Sequence, residues 1–113
     1  MVRRGDVIWV DMGDPLGSEP GQTRPAVVVS SDSFNLSSMP LVVVCPLTSN
    51  LSRADYPATV ELPEGAAGLP KSSVALAFQI GVVARRRLSD PIGALPLEYM
   101  WQVDQAIRVA LDL

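Results

Sequence analysis

Eighteen of the 113 residues are proline or glycine, ten and eight respectively. Proline removes a backbone donor and breaks a helix interior, and glycine raises the entropy cost of any ordered element. A helical bundle is therefore excluded, and many short elements joined by turns are expected. Hydrophobic residues supply 48% of the chain and charged residues 19%, the balance of a globular rather than a disordered sequence. A chain of this length buries about two-thirds of its extended surface on folding, room for one core and a single domain over residues 1–113.

The pattern along the chain places the elements. Asp6 to Met12 reads Asp-Val-Ile-Trp-Val-Asp-Met, rich in β-branched and aromatic side chains, and predicts a strand. Ala26 to Ser30 and Leu41 to Pro46 are short continuous apolar runs, typical of strands buried on both faces. Between them Ser31 to Pro40 reads as a polar connection. Pro57, with no ladder donor, bounds a strand at Ala58 to Leu62, and turn residues follow from Pro63 to Leu69. Further strands are expected at Ser73 to Ala77 and Ile80 to Arg86, with a turn at Ser89 to Gly93. Met100, Val103, Ile107 and Ala110 recur at helical steps, predicting a helix from Pro96 to Leu111 with Pro96 at its first position and Glu98 at its positive end. The expected architecture is mainly β: five or six short strands curled into a small barrel, closed by a C-terminal helix. Gly13 to Thr23 is a long loop of a length that often carries function.

Charge and composition exclude several chemistries. Nine cations against twelve anions give a net charge of −3 and a pI near 4.7, so nucleic acid is not held by a bulk basic groove and any contact must be local. Eight of the nine cations are Arg, with Lys71 the one Lys. The single cysteine, Cys45, rules out an internal disulfide and multi-cysteine metal sites, and its apolar surroundings mark it as a small core residue. The absence of histidine removes the usual zinc ligands and the Ser-His and Cys-His nucleophile pairs. No metal site or cofactor is expected. The start carries no apolar signal segment and no stretch nears the roughly 18 apolar residues of a membrane span, so a soluble, cytoplasmic protein is expected.

Four groups of residues remain for chemistry. Gln22-Thr23-Arg24-Pro25 leads into an apolar strand; Pro25 biases Arg24 toward extended geometry, and an Arg so held can fork onto a phosphate or be a surface ion pair. Pro46-Leu47-Thr48-Ser49-Asn50 leaves another core strand with hydroxyl and amide groups that suit either an anion or a satisfied turn. Gln79, among apolar neighbours, completes a buried hydrogen-bond network or reads a ligand. Arg85-Arg86-Arg87 suits a phosphate backbone or a solvated strand end.

Taken together, Arg3-Arg4-Gly5-Asp6-Val7-Ile8-Trp9-Val10-Asp11, Gly17-Ser18-Glu19 and Arg24-Pro25-Ala26-Val27-Val28-Val29-Ser30 resemble the MazF/PemK family of toxin endoribonucleases. The likeness continues through Pro46-Leu47-Thr48-Ser49, Gly68-Leu69-Pro70-Lys71-Ser72-Ser73-Val74-Ala75, Gln79-Ile80 and Arg87-Leu88 to the closing helix. The resemblance implies an SH3-like β-barrel of the MazF/PemK/CcdB kind, acting as a homodimer that cleaves single-stranded RNA at short motifs and is silenced by a cognate antitoxin. It places the catalytic Arg on Arg24 and the catalytic Thr on Thr48, with Ser18, Glu19, Ser49 and Gln79 near the RNA. It also implies metal-independent attack by the RNA 2′-OH, leaving 2′,3′-cyclic phosphate and 5′-OH ends. Phe78 and Gly81 depart from the acidic residue and the Arg common at those positions. The competing readings on this fold are a non-catalytic toxin that inhibits DNA gyrase, leaning on Trp101 and the last helix, and an inactive antitoxin-binding paralogue.

Overall fold

Apolar runs without polar alternation need cover on both faces. In a computed structural model describing residues 2–11 and 23–113, the three central strands obtain it. These are β1 (Asp6–Asp11), β2 (Thr23–Val28) and β3 (Leu41–Thr48), paired antiparallel in the order β3-β2-β1. Val7, Val27, Cys45 and Leu47 point to one side, where they pack with Met100, Val103 and Ala106 of the C-terminal helix α2 (Leu97–Leu111). Ile8, Val10, Ala26, Val28, Val42 and Val44 point to the other and pack with Val2, Val83 and Leu88. The single core expected from chain length is thus divided by the sheet into two clusters. Double burial of Ala26 to Val28 is as the apolar run predicts.

The remaining strands are β4 (Thr59–Leu62), β5 (Ser73–Leu76), β6 (Gly81–Ala84) and β7 (Gly93–Ala94), completing a sheet ordered β4-β5-β3-β2-β1-β7 with β6 also on β3. The mainly-β expectation holds in the form of a half-barrel: β4 and β7 are the two ends of the path and do not pair. One edge of β3 carries β6 along Leu41–Val44 and β5 at Leu47–Thr48. Between Val44↔Gly81 and Leu47↔Ala75, two residues on β3 face five on the other chain segment. The surplus forms a 3-10 turn at Ala77–Gln79, opposite Cys45 and Pro46, and Pro46 has no N–H to offer there.

Several local expectations need correction. The polar connection after β2 contains a one-turn helix, α1 (Asp32–Asn35), whose Phe34 N–H is capped by Ser31 Oγ at 3.2 Å. Arg85 donates to this segment: Nη2 reaches Asn35 O at the end of α1 at 2.5 Å, and Nε reaches Met39 O in the connection that follows at 2.6 Å. That anchorage turns the chain into a 3-10 turn at Arg85–Arg87, so β6 ends at Ala84 instead of running to Arg86. Pro96 caps α2 from outside rather than opening it, and Ala106 rather than Ala110 completes the buried stripe. Ala110 lines an open groove beside Phe78. A forked ion pair between Arg4 and Asp104, with Arg4 Nε also donating to Val29 O at 3.1 Å, ties α2 to the start of the sheet.

The turn between β4 and β5 crosses β7 closely. Gly68 has φ +79°, and a Cβ there would lie 2.8 Å from Ile92 O; on Gly93 a Cβ would lie 2.4 Å from Ala67 O. Both obstacles are backbone, so neither can swing aside. Gly81 has ordinary φ and only Gln79 O, at 3.9 Å, near its Cβ position. Gly93→Ala is therefore expected to destabilise by about 1–3 kcal/mol or more, and Gly81→Ala to be neutral or stabilising by up to about 1 kcal/mol. Urea unfolding of the two variants checks both signs.

Candidate active-site cleft

Arg24 and Thr48 meet because of strand register. The β2–β3 ladder pairs Ala26 with Pro46, Val27 with Cys45 and Val28 with Val44. The ladder ends at Ala26↔Pro46; continued two residues further, its register would set Arg24 opposite Thr48 on one face, and both residues line the same cleft. Trp9 faces Pro25 and Val10 faces Arg24 on the neighbouring strand. The Pro63–Ser72 connection closes the other side, brought there by the crossing at Gly68 and Gly93.

The resulting cleft has a volume of about 320 Å³, and its walls include Arg24, Thr48, Ser49, Lys71, Trp9 and Thr23. Two lining residues are cationic, and no Asp or Glu is among them. Neither Arg24 nor Lys71 has an ion pair or side-chain hydrogen bond among the described residues. In a chain of net charge −3 this is a local reversal of sign, and it suits an anion. Thr48 Oγ1 accepts from Asn50 N–H at 3.1 Å, and among the described residues its own hydroxyl has no acceptor, so it can serve as a donor in the cleft. Asn50 is in turn fixed by accepting from Ser52 N–H at 3.2 Å, so the turn that could have been only a satisfied turn also holds Thr48 in place.

The other expected residues fall differently. Ser49 lines the cleft. Gln79 lies in the 3-10 turn after β5, exposed and outside this cleft, so it completes no buried network. Ser18, Glu19 and the rest of the Gly13 to Gln22 loop lie outside the described residues. Phe78 is half-exposed and meets Tyr56 edge-on, with ring centroids 6.0 Å apart. Trp101 is 63% exposed on α2, away from the cleft. Trp9, Thr23 and Lys71 are lining residues that inspection of motifs did not single out as site residues. Lys71 stands out in the sequence as the one Lys of the chain and as part of the Gly68–Ala75 segment that carries the family resemblance, with no role attached.

Cys45 is fully buried in the cluster beneath α2, and burial pushes its thiol up to about 12. It is a core residue, as expected, and no nucleophile.

A half-barrel of short strands with a C-terminal helix and a cationic, hydroxyl-bearing cleft defines a small mainly-β fold, and comparison with known proteins specifies which. Residues 3–111 match the family described as PemK-like, MazF-like toxin of type II toxin–antitoxin system. Endoribonuclease MazF6 of Mycobacterium tuberculosis is 35% identical over 113 residues, covering 100% of this chain and 99% of the relative. Endoribonuclease EndoA of Bacillus subtilis is 36% identical over 113 residues, covering 100% and 97%. A mycobacterial endoribonuclease solved in complex with its cognate antitoxin superimposes with a TM-score of 0.82 at 24% identity, covering 100% and 97%. The chain belongs to the PemK-like, MazF-like toxin family. Among the described residues no helix is long and apolar enough to cross a membrane.

The Cys45 assignment has a signed consequence. The thiol stays protonated in the fold but ionises in the unfolded chain above about pH 9, so stability falls as pH rises through that range toward 12. The expected slope from this group is at most about 1.4 kcal/mol per pH unit, and it disappears in Cys45→Ala. Denaturant titrations of the two proteins between pH 8 and 10.5 measure the difference.

Proposed function

We propose that this toxin is an endoribonuclease that cleaves single-stranded RNA in the cleft between Arg24 and Thr48. The carrying observation is that Arg24, without an ion pair among the described residues, and the Thr48 hydroxyl line one cleft whose described lining has no carboxylate. The endoribonuclease names of relatives matching over the full chain support the same reading.

RNA brings its own nucleophile. The 2′-oxygen bonds to the adjacent phosphorus, the bond from phosphorus to the 5′-oxygen breaks, and the products are a 2′,3′-cyclic phosphate and a 5′-OH. A proton leaves the 2′-OH and one reaches the departing 5′-oxygen. The protein has to align the attack and neutralise the charge that builds on the phosphoryl oxygens. Arg24 does the second with two parallel N–H donors, and Thr48 adds one hydroxyl donor. A guanidinium stays protonated near neutrality, so Arg24 acts by charge rather than as the base. Ser49 extends the donor set along the strand. Gln79, outside the cleft, and Ser18 and Glu19, outside the described residues, are proposed RNA contacts read against unstacked base edges.

The relative solved with its antitoxin supports a cognate antitoxin as the regulating partner. A homodimer belongs to the same reading, supported by the exposed apolar end of α2, where Val109 and Leu111 border a groove with Tyr56 and Phe78. The gyrase-directed reading requires Trp101 instead of the cleft.

Two substitutions separate these readings. Arg24→Ala is expected to lower the cleavage rate about 10²–10³-fold, and Thr48→Val about 10²-fold, with unfolding free energies changed by less than about 1 kcal/mol. Cleavage of a long mixed-sequence RNA in excess EDTA, with mapping of both new ends, is the measurement. Unchanged cleavage by Arg24→Ala would falsify the assignment. Toxicity that survives Arg24→Ala and is lost on replacing Trp101 would favour the gyrase reading.

A further inference from the structure

The Arg85–Arg87 run is not used by the chemistry above, yet its three members have different fates. Arg85 is consumed by the carbonyls of Asn35 and Met39, whereas Arg86 and Arg87 are exposed and have no ion pair or side-chain hydrogen bond among the described residues. They line a second depression of about 470 Å³, together with Trp9, Thr23, Asp11 and Ser89. Trp9 and Thr23 also line the Arg24–Thr48 cleft, so the two depressions share a wall. Trp9 is half-buried, and its backbone is locked from both sides: its N–H donates to Ser89 Oγ at 2.9 Å, and its carbonyl accepts from Ser89 N–H at 2.9 Å. The Val10↔Leu88 bridge holds Arg86 and Arg87 alongside. Asp11 adds one carboxylate, so cations outnumber it two to one.

We infer that the RNA strand continues from the cleft over Trp9 into this second depression, with one base stacked on the indole and the next phosphate held by Arg86 and Arg87. The inference rests on the endoribonuclease reading and gives it a direction along the strand. An aromatic platform between two cationic sites is what an unpaired strand requires, because bases and phosphates alternate along it and stacking tolerates any base. Trp9 sits on a strand whose backbone is fixed by Ser89, and two exposed Arg side chains meet a phosphate without desolvating a buried charge.

The test compares a short oligoribonucleotide spanning the cut with the same sequence extended by three nucleotides at either end. Wild type is expected to show a kcat/KM about tenfold higher for one of the two extensions. In the double variant Arg86→Ser/Arg87→Ser that long-to-short ratio falls toward one, and the salt dependence on the long substrate becomes shallower by about 0.7 for each phosphate the variant no longer neutralises. Trp9→Leu lowers the same ratio, and Trp9→Phe restores most of it. The exposed arginines carry the test if Trp9→Leu fails to fold. A double variant with the wild-type ratio and salt slope overturns the path and leaves these cations to a protein partner. An equal loss on short and long substrates also overturns it, since that signals damage to the cleft itself. If wild type cleaves no RNA, the endoribonuclease reading fails first and this inference falls with it.

Discussion

The pairing of Ala26 with Pro46 decides which side chains meet at the mouth of the cleft, because side chains alternate along a strand and a shift of one residue reverses every one of them. With this register Arg24 and Thr48 share a face, and Val27, Cys45 and Leu47 share the other beneath α2. A slip by one would turn Thr48 toward the helix and bring Cys45 and Leu47 out of their cluster. The apolar side chains on both faces of β2 and β3 make that slip expensive. Stability and the geometry of the cleft are therefore set by the same packing, and the residues that position it are mostly valines with no chemistry of their own.

Prolines and glycines shape the rest by where they interrupt. Pro46 stands where β3 changes partners along one edge, and the three surplus residues opposite it form the turn that carries Phe78 and Gln79. Gly68 and Gly93 allow two backbone segments to pass without Cβ atoms between them, and this approach carries the Leu69–Lys71 segment to the cleft. Removing that closeness would affect a site to which neither glycine contributes an atom.

Electrostatically, the protein concentrates its few usable cations. Arg4 is paired with Asp104, Arg53 lies over the Tyr56 ring at 5.5 Å, and Arg85 is bound to carbonyls. Arg24 and Lys71 line one depression and Arg86 and Arg87 the next, while Arg3 and Arg108 line neither. An acidic chain can so present a cationic path to a polyanion while its remaining surface repels one. Chemistry that relies on the substrate's own hydroxyl asks no more of the protein than alignment and charge, which fits a chain without histidine.

The central strands and the closing helix were legible from sequence because each is written locally, in apolar runs and in helical spacing, and Arg24 and Thr48, which share a cleft, were singled out by motifs resembling a known family. Arg24 was marked by Pro25 and Thr48 by the turn that follows it. What was not legible is long-range. Sequence does not state which carbonyls Arg85 will find, that β6 must therefore stop at Ala84, or that two residues of β3 will face five. It does not bring Lys71 beside Arg24, 47 positions away, nor place Gln79 outside the cleft. Local patterning determined what each segment wants to bury. Only the tertiary structure decided which polar groups were left unpaired once that burial was satisfied, because pairing depends on neighbours that the chain supplies from a distance.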